Sequence, residues 1–494
     1  SEELFYFVTK RIPYLCGFWR FANAYHLILG KETNKMYQIN FNSPIHVHFI
    51  GIGGISMSGL AQILIKAGFT VSGSDQKKSP LTQHLVSMGA KVNYPQMASN
   101  INDNIDLVVY TAAIAQDNPE FCAALEKNIP LITRADLLGQ IMKNYKTPIA
   151  VSGTHGKTTT TSMISEVLLA ADTDPTLSIG GILKSIGGNI RVGKSDYFVT
   201  EACEYTNSFL SFFPRISIIL NIEEDHLDFF RDIDDIRHSF RKFSEILPED
   251  GCLIINQNID HIAQFVEGLP CKIVTFGTDT TADYSYTDTT FDTFGRPSYT
   301  LVKKGQNCGT VKLGVVGEHN ILNSLSVIAL TDLLGIDLAI VRDALASFSG
   351  TERRFERKGE VAGVQILDDY AHHPTEITAT LKAAANYPHR TLWCVFQPHT
   401  YTRTKAFLKE FAQALSLADK VVLTDIYAAR EKNTVGISSV DLLHELEKLG
   451  KECYYFQSFD DIENFLLKNC INGDLLITMG AGDVVKIGEN LLGI

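Results

Sequence analysis

Gly-Thr-His-Gly-Lys-Thr at residues 153–158 follows the short apolar run Ile149-Ala150-Val151 and precedes a stretch carrying Met163, Ile164, Val167 and Leu168 at helical spacing. A strand that opens into a glycine-bearing turn, then a lysine and a hydroxyl residue, is what a chain needs to hold the phosphates of ATP. Backbone N–H groups and the positive end of the following helix form the cradle, Lys157 reaches the β/γ-phosphates, and Thr158 can ligate Mg²⁺. The turn departs from the usual phosphate-loop formula, since Val151 stands where its first glycine belongs. A helix-capping turn would account for Thr154 and Thr158 but gives no reason for a lysine beside two glycines. The expected ATP contacts therefore start with Gly153, Thr154, His155, Gly156, Lys157, Thr158 and Thr159.

Other polar residues stand at the ends of apolar runs. Tyr197-Phe198-Val199-Thr200 ends at Glu201-Ala202-Cys203-Glu204, and Ile216–Leu220 ends at Asn221 before Glu223-Glu224-Asp225-His226. In an α/β sheet ligands gather at the carboxyl ends of strands, so Lys157, Glu201 and His226 are expected to share one crevice, where a carboxylate can hold Mg²⁺. Gly317-Glu318-His319-Asn320 starts a helix with Asn320 and Asn323 on one face. Near the end of the run Val364–Leu367 stand Asp368, Asp369, His372 and His373, a costly set of ionisable groups to assemble for packing alone. Thr391–Phe396 leads to Gln397-Pro398-His399-Thr400-Tyr401-Thr402-Arg403.

A second glycine turn lies upstream. His46–Ile50 opens into Gly51-Ile52-Gly53-Gly54-Ile55-Ser56-Met57-Ser58-Gly59, and the next strand, Thr70–Ser74, ends at Asp75. Glycines for a tight turn and close phosphate approach, followed by an acidic strand end, resemble a dinucleotide fingerprint; Ser56 in the third glycine position points to a different nucleotide diphosphate.

The elements that must position these groups alternate strand and helix in three stretches, 36–144, 145–350 and 351–494, which suits a chain of 494 residues too long for one core. Within the second, 276–312 reads as short antiparallel strands with exposed turns. The charged run 352–358 at the head of the third reads as a solvated face. Residues 1–35 are aromatic without a clean period and read as an extension before a start at Met36. They offer neither a membrane-spanning apolar run nor a signal peptide, because Glu2 and Glu3 stand where positive charge belongs. A net charge of -12 argues against a broad nucleic-acid surface, and nine scattered cysteines read as reduced thiols of a cytoplasmic protein. Monomer and homodimer are both compatible with the sequence.

The ordered set resembles the Mur ligases of peptidoglycan synthesis, and within them the step that adds the first amino acid to the nucleotide-linked sugar acid. The likeness runs over about residues 44–485 and rests on His48–Gly54 with Met57-Ser58-Gly59, Ser152–Thr161, Glu201–Glu204, Asn221–Glu223 with Asp225-His226, Gly317–Asn320, Asp368–Glu376 and Gln397–His399. It implies an α/β protein of three domains: a Rossmann-like N-terminal domain for the UDP part, a central P-loop ATPase domain with a mostly parallel sheet, and a Rossmann-like C-terminal domain that closes over ATP and receives the amino acid. The implied reaction activates the lactyl carboxylate of UDP-N-acetylmuramate as an acyl phosphate, which the amine of L-alanine attacks. The resemblance further implies Thr158, Glu201 and His226 as Mg²⁺ ligands, and His319, Asn320, Asn323, Arg353 and Asp368 as ATP contacts. It places Gly51, Gly53, Gly54, Ser56, Met57, Ser58, Asp75 and Glu204 on the UDP substrate, and His373 and Arg403, with Lys157 and His226, among the catalytic groups. Two departures stand out: Thr400 where many members have arginine, and Cys203 where aspartate is common. The rival readings are a ligase for a ready-made tripeptide, an NAD-dependent oxidoreductase built on residues 51–75, and a silent nucleotide-binding scaffold.

Overall fold

The computed structural model of the protein describes residues 37–494 apart from 112, 113, 228 and 430; the expected extension 1–35 and start at Met36 lie outside the described residues. Three sheets follow one another along the chain. The first is all parallel, with β1 (His46–Ile50), β2 (Thr70–Ser74), β3 (Lys91–Asn93), β4 (Leu107–Tyr110) and β5 (Leu131–Thr133) in the order β3-β2-β1-β4-β5. Apolar runs such as Phe49-Ile50 and Leu107–Val109 are sealed, as strands covered on both faces require.

The central sheet runs β6 (Thr147–Ser152), β7 (Thr176–Leu183), β8 (Gly188–Arg191), β9 (Tyr197–Glu201), β10 (Ile216–Ile219), β11 (Cys252–Asn256), β12 (Lys272–Phe276), β13 (Tyr284–Phe291), β14 (Pro297–Lys303) and β15 (Gln306–Lys312), ordered β15-β14-β13-β12-β11-β10-β6-β9-β7-β8. Because β6 lies parallel between β9 and β10, the turn after β6, Glu201 and Asn221 all emerge at one edge of the sheet. The expected antiparallel region over 276–312 is the meander β13-β14-β15, added to the parallel strands through β12.

The third sheet comprises β16 (Glu356–Val361), β17 (Val364–Asp369), β18 (Leu392–Phe396), β19 (Lys420–Leu423), β20 (Glu452–Tyr455) and β21 (Leu475–Met479), ordered β16-β17-β21-β18-β19-β20. The charged run 352–358 differs from its expectation. Its second half is the antiparallel edge strand β16, which exposes Arg357 and Glu360 on either side of a register shift, while Gly359 lies close against Leu492.

The cores divide unequally. One apolar cluster runs from Val47 and Leu60 in the first unit through to Phe209, Phe240 and Phe243 in the central one, whereas the third unit holds separate clusters around Phe396 and Trp393. Among the described residues no helix is long and apolar enough to cross a membrane.

Candidate active site

The turn after β6 owes its shape to its glycines. Gly153 has φ +138° and Gly156 φ +85°, and a Cβ on Gly156 would stand 2.8 Å from Asn323 Oδ1. The side chain of Asn221, at the end of β10, fixes the loop from below: His155 N donates to Asn221 Oδ1 at 2.8 Å and Asn221 Nδ2 donates back to His155 O at 3.1 Å. Lys157, first residue of the helix Lys157–Ala170, folds back so that Nζ donates to Gly153 O at 2.5 Å and Thr154 O at 3.0 Å and pairs with Glu204 Oε2 at 3.1 Å. Burial alone would lower the lysine, but the Glu204 charge outweighs it and holds the ammonium above its ordinary value.

Beside it, Thr158 Oγ1 donates to Glu201 Oε2 at 3.0 Å and Gly180 N donates to Glu201 Oε1 at 2.6 Å. Burial raises the Glu201 carboxyl, and those two donors with Lys157 oppose the rise. This pair suits Mg²⁺, a hard cation that takes one or two protein oxygens and completes its shell with phosphate and water. Among the described residues no three His, Cys, Asp or Glu side chains form a metal cage. His226, at φ +53°, stacks on Tyr205 at 4.6 Å and lies 3.7 Å from both Glu204 Oε1 and Asp225 Oδ2. Burial lowers its pKa, keeping the imidazole neutral and able to ligate.

The third unit closes on this edge. Arg403 gives Nη2 at 2.9 Å and Nε at 3.2 Å to Asp225 Oδ1. Burial would raise Asp225, but the Arg403 guanidinium holds it well below the usual carboxylate range. His155 Nδ1 meets Glu376 Oε1 at 3.3 Å, and Thr375 Oγ1 donates to Glu223 Oε2 at 3.0 Å. Against the pull of burial, Glu376 raises the pKa of His155, favouring a cation within the phosphate turn. His373 caps the helix Pro374–Ala385 by accepting from Thr375 N, with Pro374 at the first helical position, and its ring lies 4.8 Å from that of His155.

A cavity of about 730 Å³ opens beside the turn, a size suited to a small organic ligand. His155, Gly156, Thr159, His319, Asn320 and Asn323 line it, so these expected contacts come together. Arg353 and Asp368 do not line it. Arg353, at φ +60°, spends its guanidinium on Asp368 at 2.9 Å, Gly480 O at 2.7 Å and Gly482 O at 3.1 Å, while the adjacent Arg354 and Asp369 face the cavity. Asp369 accepts from Phe355 N at 2.7 Å and Ala371 N at 2.8 Å, and burial pushes it up to about 6. The far wall, missed in the sequence, is Phe294, Arg296, Phe355 and Tyr387, with ring centroids 5.5 Å apart for Phe294–Tyr387 and 5.8 Å for Phe355–Tyr387. The signal available was Phe294-Gly295-Arg296, an aromatic and a cation about a turn glycine.

The upstream turn is braced from within its own sheet. Gly51, at φ +79°, and Ile52 both donate to Ser74 O at 2.9 Å, and Gly53 N donates to Asp75 Oδ2 at 2.8 Å. A Cβ on Gly53 would stand 2.7 Å from that oxygen. Gly54 caps the helix Ile55–Lys66 without a side-chain bond. Ser56 Oγ accepts from Arg134 Nη1 at 3.0 Å, Ser58 donates to Ile55 O at 2.9 Å, and Met57 is buried in the core.

With this geometry in place, comparison with known proteins gives a consistent answer. The description "Mur ligase family, catalytic domain" matches residues 46–146, "Mur ligase middle domain" 151–331, and "Mur ligase, glutamate ligase domain" 353–482. The UDP-N-acetylmuramate–L-alanine ligase of Lachnospira eligens is 62% identical over 92% of this chain and 100% of its own length, and that of Agathobacter rectalis 61% identical over the same shares. Among solved structures, the UDP-N-acetylmuramate-alanine ligase of Thermotoga maritima is 32% identical with a TM-score of 0.77, covering 91% of this chain and 98% of that one. A murein peptide ligase of Psychrobacter arcticus is 25% identical with a TM-score of 0.68 over the same shares.

Proposed function

The chain belongs to the Mur ligase family and is an enzyme, and from that premise we propose that it joins L-alanine to the lactyl carboxylate of UDP-N-acetylmuramate at the expense of ATP. The observation that carries this reading is the unbroken line of contacts from Lys157 through Glu204 to His226 and Asp225, and on to Arg403 of the third unit. It brings a phosphate grip, a metal edge and a carboxylate-seeking guanidinium within one crevice. The names carried by the two relatives above 60% identity support alanine as the amino acid.

On this reading the cavity beside the turn takes the adenosine, with its base against Phe294 and Tyr387. Lys157 leaves the loop carbonyls to follow the γ-phosphate, and His155 adds a second positive donor. Thr158 and Glu201, with neutral His226, would hold Mg²⁺, which would supply positive charge to offset the negative charge that develops during transfer. The upstream turn presents its uncapped helix end to the diphosphate of the sugar nucleotide. Phosphoryl transfer to the lactyl carboxylate gives an acyl phosphate; the amine attacks its carbon, and phosphate departs with the C–O bonding pair. Closure by the third unit keeps water from the activated acyl group.

The test is ADP release with UDP-N-acetylmuramate and a panel of amino acids and peptides, with product mass recorded. L-Alanine should give one amide product, with dependence on Mg²⁺. Tripeptide turnover in preference to alanine would replace this reading with that of a recycling ligase. Lys157→Ala should cost about 10³-fold in kcat. Arg403→Ala should raise KM for alanine far more than KM for ATP, and an unchanged alanine dependence would remove Arg403 from the carboxylate.

A further inference from the structure

Three histidines of the third unit, His372, His373 and His399, lie near enough to Arg403, the proposed seat of the amino acid's carboxylate, to feel its charge, and their hydrogen bonds give them different tautomers. Thr375 N can only donate, so His373 Nδ1 accepts its bond, at 3.3 Å, and a neutral His373 carries its proton on Nε2. Arg403 can only donate, so His399 Nδ1, 3.3 Å from Arg403 Nη1, accepts, and His399 too carries its proton on Nε2. His372 is reversed. Its Nδ1 lies 3.0 Å from the Tyr370 carbonyl, which can only accept, and 3.4 Å from Glu376 Oε2. Nδ1 therefore holds the proton and Nε2 presents a lone pair. That nitrogen is not among the sealed, unpartnered atoms, whereas His373 Nε2 is.

Resting on the acyl-phosphate reading above, we propose that His372 Nε2 takes the proton that the incoming ammonium must lose, with Glu376 and the Tyr370 carbonyl holding the ring in the accepting tautomer. His373 and His399, with Nδ1 accepting a hydrogen bond and Nε2 already protonated, have no free lone pair to act as bases. The balance is simple. One proton passes from the ammonium to His372, the freed nitrogen pair forms the C–N bond, and the C–O bond to phosphate breaks toward oxygen. The second surplus proton on nitrogen leaves with the departing phosphate, and the amide keeps one.

Other candidate bases are engaged. Asp225 holds Arg403, both oxygens of Asp369 accept backbone N–H groups, and Glu376 faces His155 and the His372 backbone N–H at 3.1 Å. Burial pushes His372 down to about 3, with Glu376 and Asp225 opposing and Arg403 and His399 adding to the fall, so at rest it is a neutral acceptor. A substrate carboxylate on Arg403 offsets one of the charges that add to the fall and so raises the basicity of His372 as the amine arrives.

The experiment compares His372→Asn with His373→Asn on two nucleophiles, L-alanine and hydroxylamine, an amine already unprotonated at neutral pH that captures acyl phosphates as hydroxamates. Asparagine keeps a donor toward the Tyr370 carbonyl and lacks Nε2. His372→Asn should lose about 10²-fold in kcat with alanine while forming hydroxamate at about the wild-type rate, and the alanine deficit should narrow as pH rises. His373→Asn should slow both nucleophiles alike. Wild-type kcat for His372→Asn with alanine, or equal losses with both nucleophiles, would overturn the assignment and leave the acyl-phosphate reading standing. Absence of both ADP release and hydroxamate from the wild type would sink the two together.

Discussion

The central unit meets its two neighbours through seams of opposite character. Toward the first unit the contact is mainly apolar and close-packed, with hydrogen bonds such as Ser211 Oγ to Asp136 Oδ1 at 2.8 Å beside it. A single core crosses it, and Cβ atoms on Gly59 and Gly139 would stand 2.2 Å from Ile190 Cγ1 and 1.9 Å from Ser211 O. Toward the third unit the contact is made of charge pairs and rings: Arg403 with Asp225, His155 with Glu376 and His373, and Thr375 with Glu223. A closely interlocked apolar surface cannot slide without voids, whereas polar groups that part can rehydrate. The first and central units are thus packed as one body, whereas the third meets them through groups that can part, the arrangement that the proposed reaction requires of a unit that opens for exchange and closes for chemistry.

Asp225→Ala should have the largest effect on this contrast. It strands the Arg403 guanidinium in a seam where the two side chains are only 8% and 11% exposed, weakening closure by about 4 kcal/mol. Small-angle scattering should show a more extended particle; an unchanged profile would mean that the pair does not hold the third unit. Next comes Gly139→Ala, which drives a methyl group into the Ser211 backbone of the apolar seam and should cost about 2 kcal/mol of global stability by chemical denaturation. If instead the two units separated without loss of stability, the single-body view would fail.

Acid should act most strongly on the polar seam. Burial lowers His372 to about 3 and His373 and His399 to about 4, from 6.5. Their contribution to closure is full above pH 6.5 and is lost as pH falls through the lowered values. His155, whose pKa is raised, acts in the other direction: its contribution is full below 6.5 and is lost above its raised value. Three groups outnumber one, so the radius of gyration should grow as pH drops from 7 toward 5, while the amide protection of the first unit stays constant. The smallest effect is Thr400→Gly. Thr400 sits at φ +65° and ψ 145°, a region reserved for glycine, and relief should add about 1 kcal/mol of stability with little change in kcat.

The sequence spoke most clearly where one element carried its own signal. Strand, glycine turn, lysine and helix are contiguous at 147–170, so the phosphate grip could be read in a single pass. Neighbour order misled where backbone direction decides. Arg353 and Arg354 face different partners because Arg353 sits in a left-handed conformation that swings it onto Asp368 and leaves its neighbour to the cavity. His372 and His373 likewise differ in which group reaches Nδ1, a carbonyl in one and a backbone N–H in the other. The aromatic wall was hidden for another reason: Phe294 comes from a meander turn and Tyr387 from the end of a helix in another unit, so no window of sequence contains both. The edge strand β16 was masked by Arg357, Lys358 and Glu360, charges that suit an outer strand as well as a loop.

The folded-back Lys157 bears on selectivity between ligands. Its ammonium is already satisfied by two loop carbonyls and the Glu204 carboxylate, so a free phosphate ion reaching the turn finds little uncompensated charge. On the proposed reading, only a molecule anchored elsewhere, by its base in the aromatic recess, would have the leverage to draw the lysine out. The loop is thus quenched toward the inorganic anions that crowd a cell and opens for those that arrive with a handle.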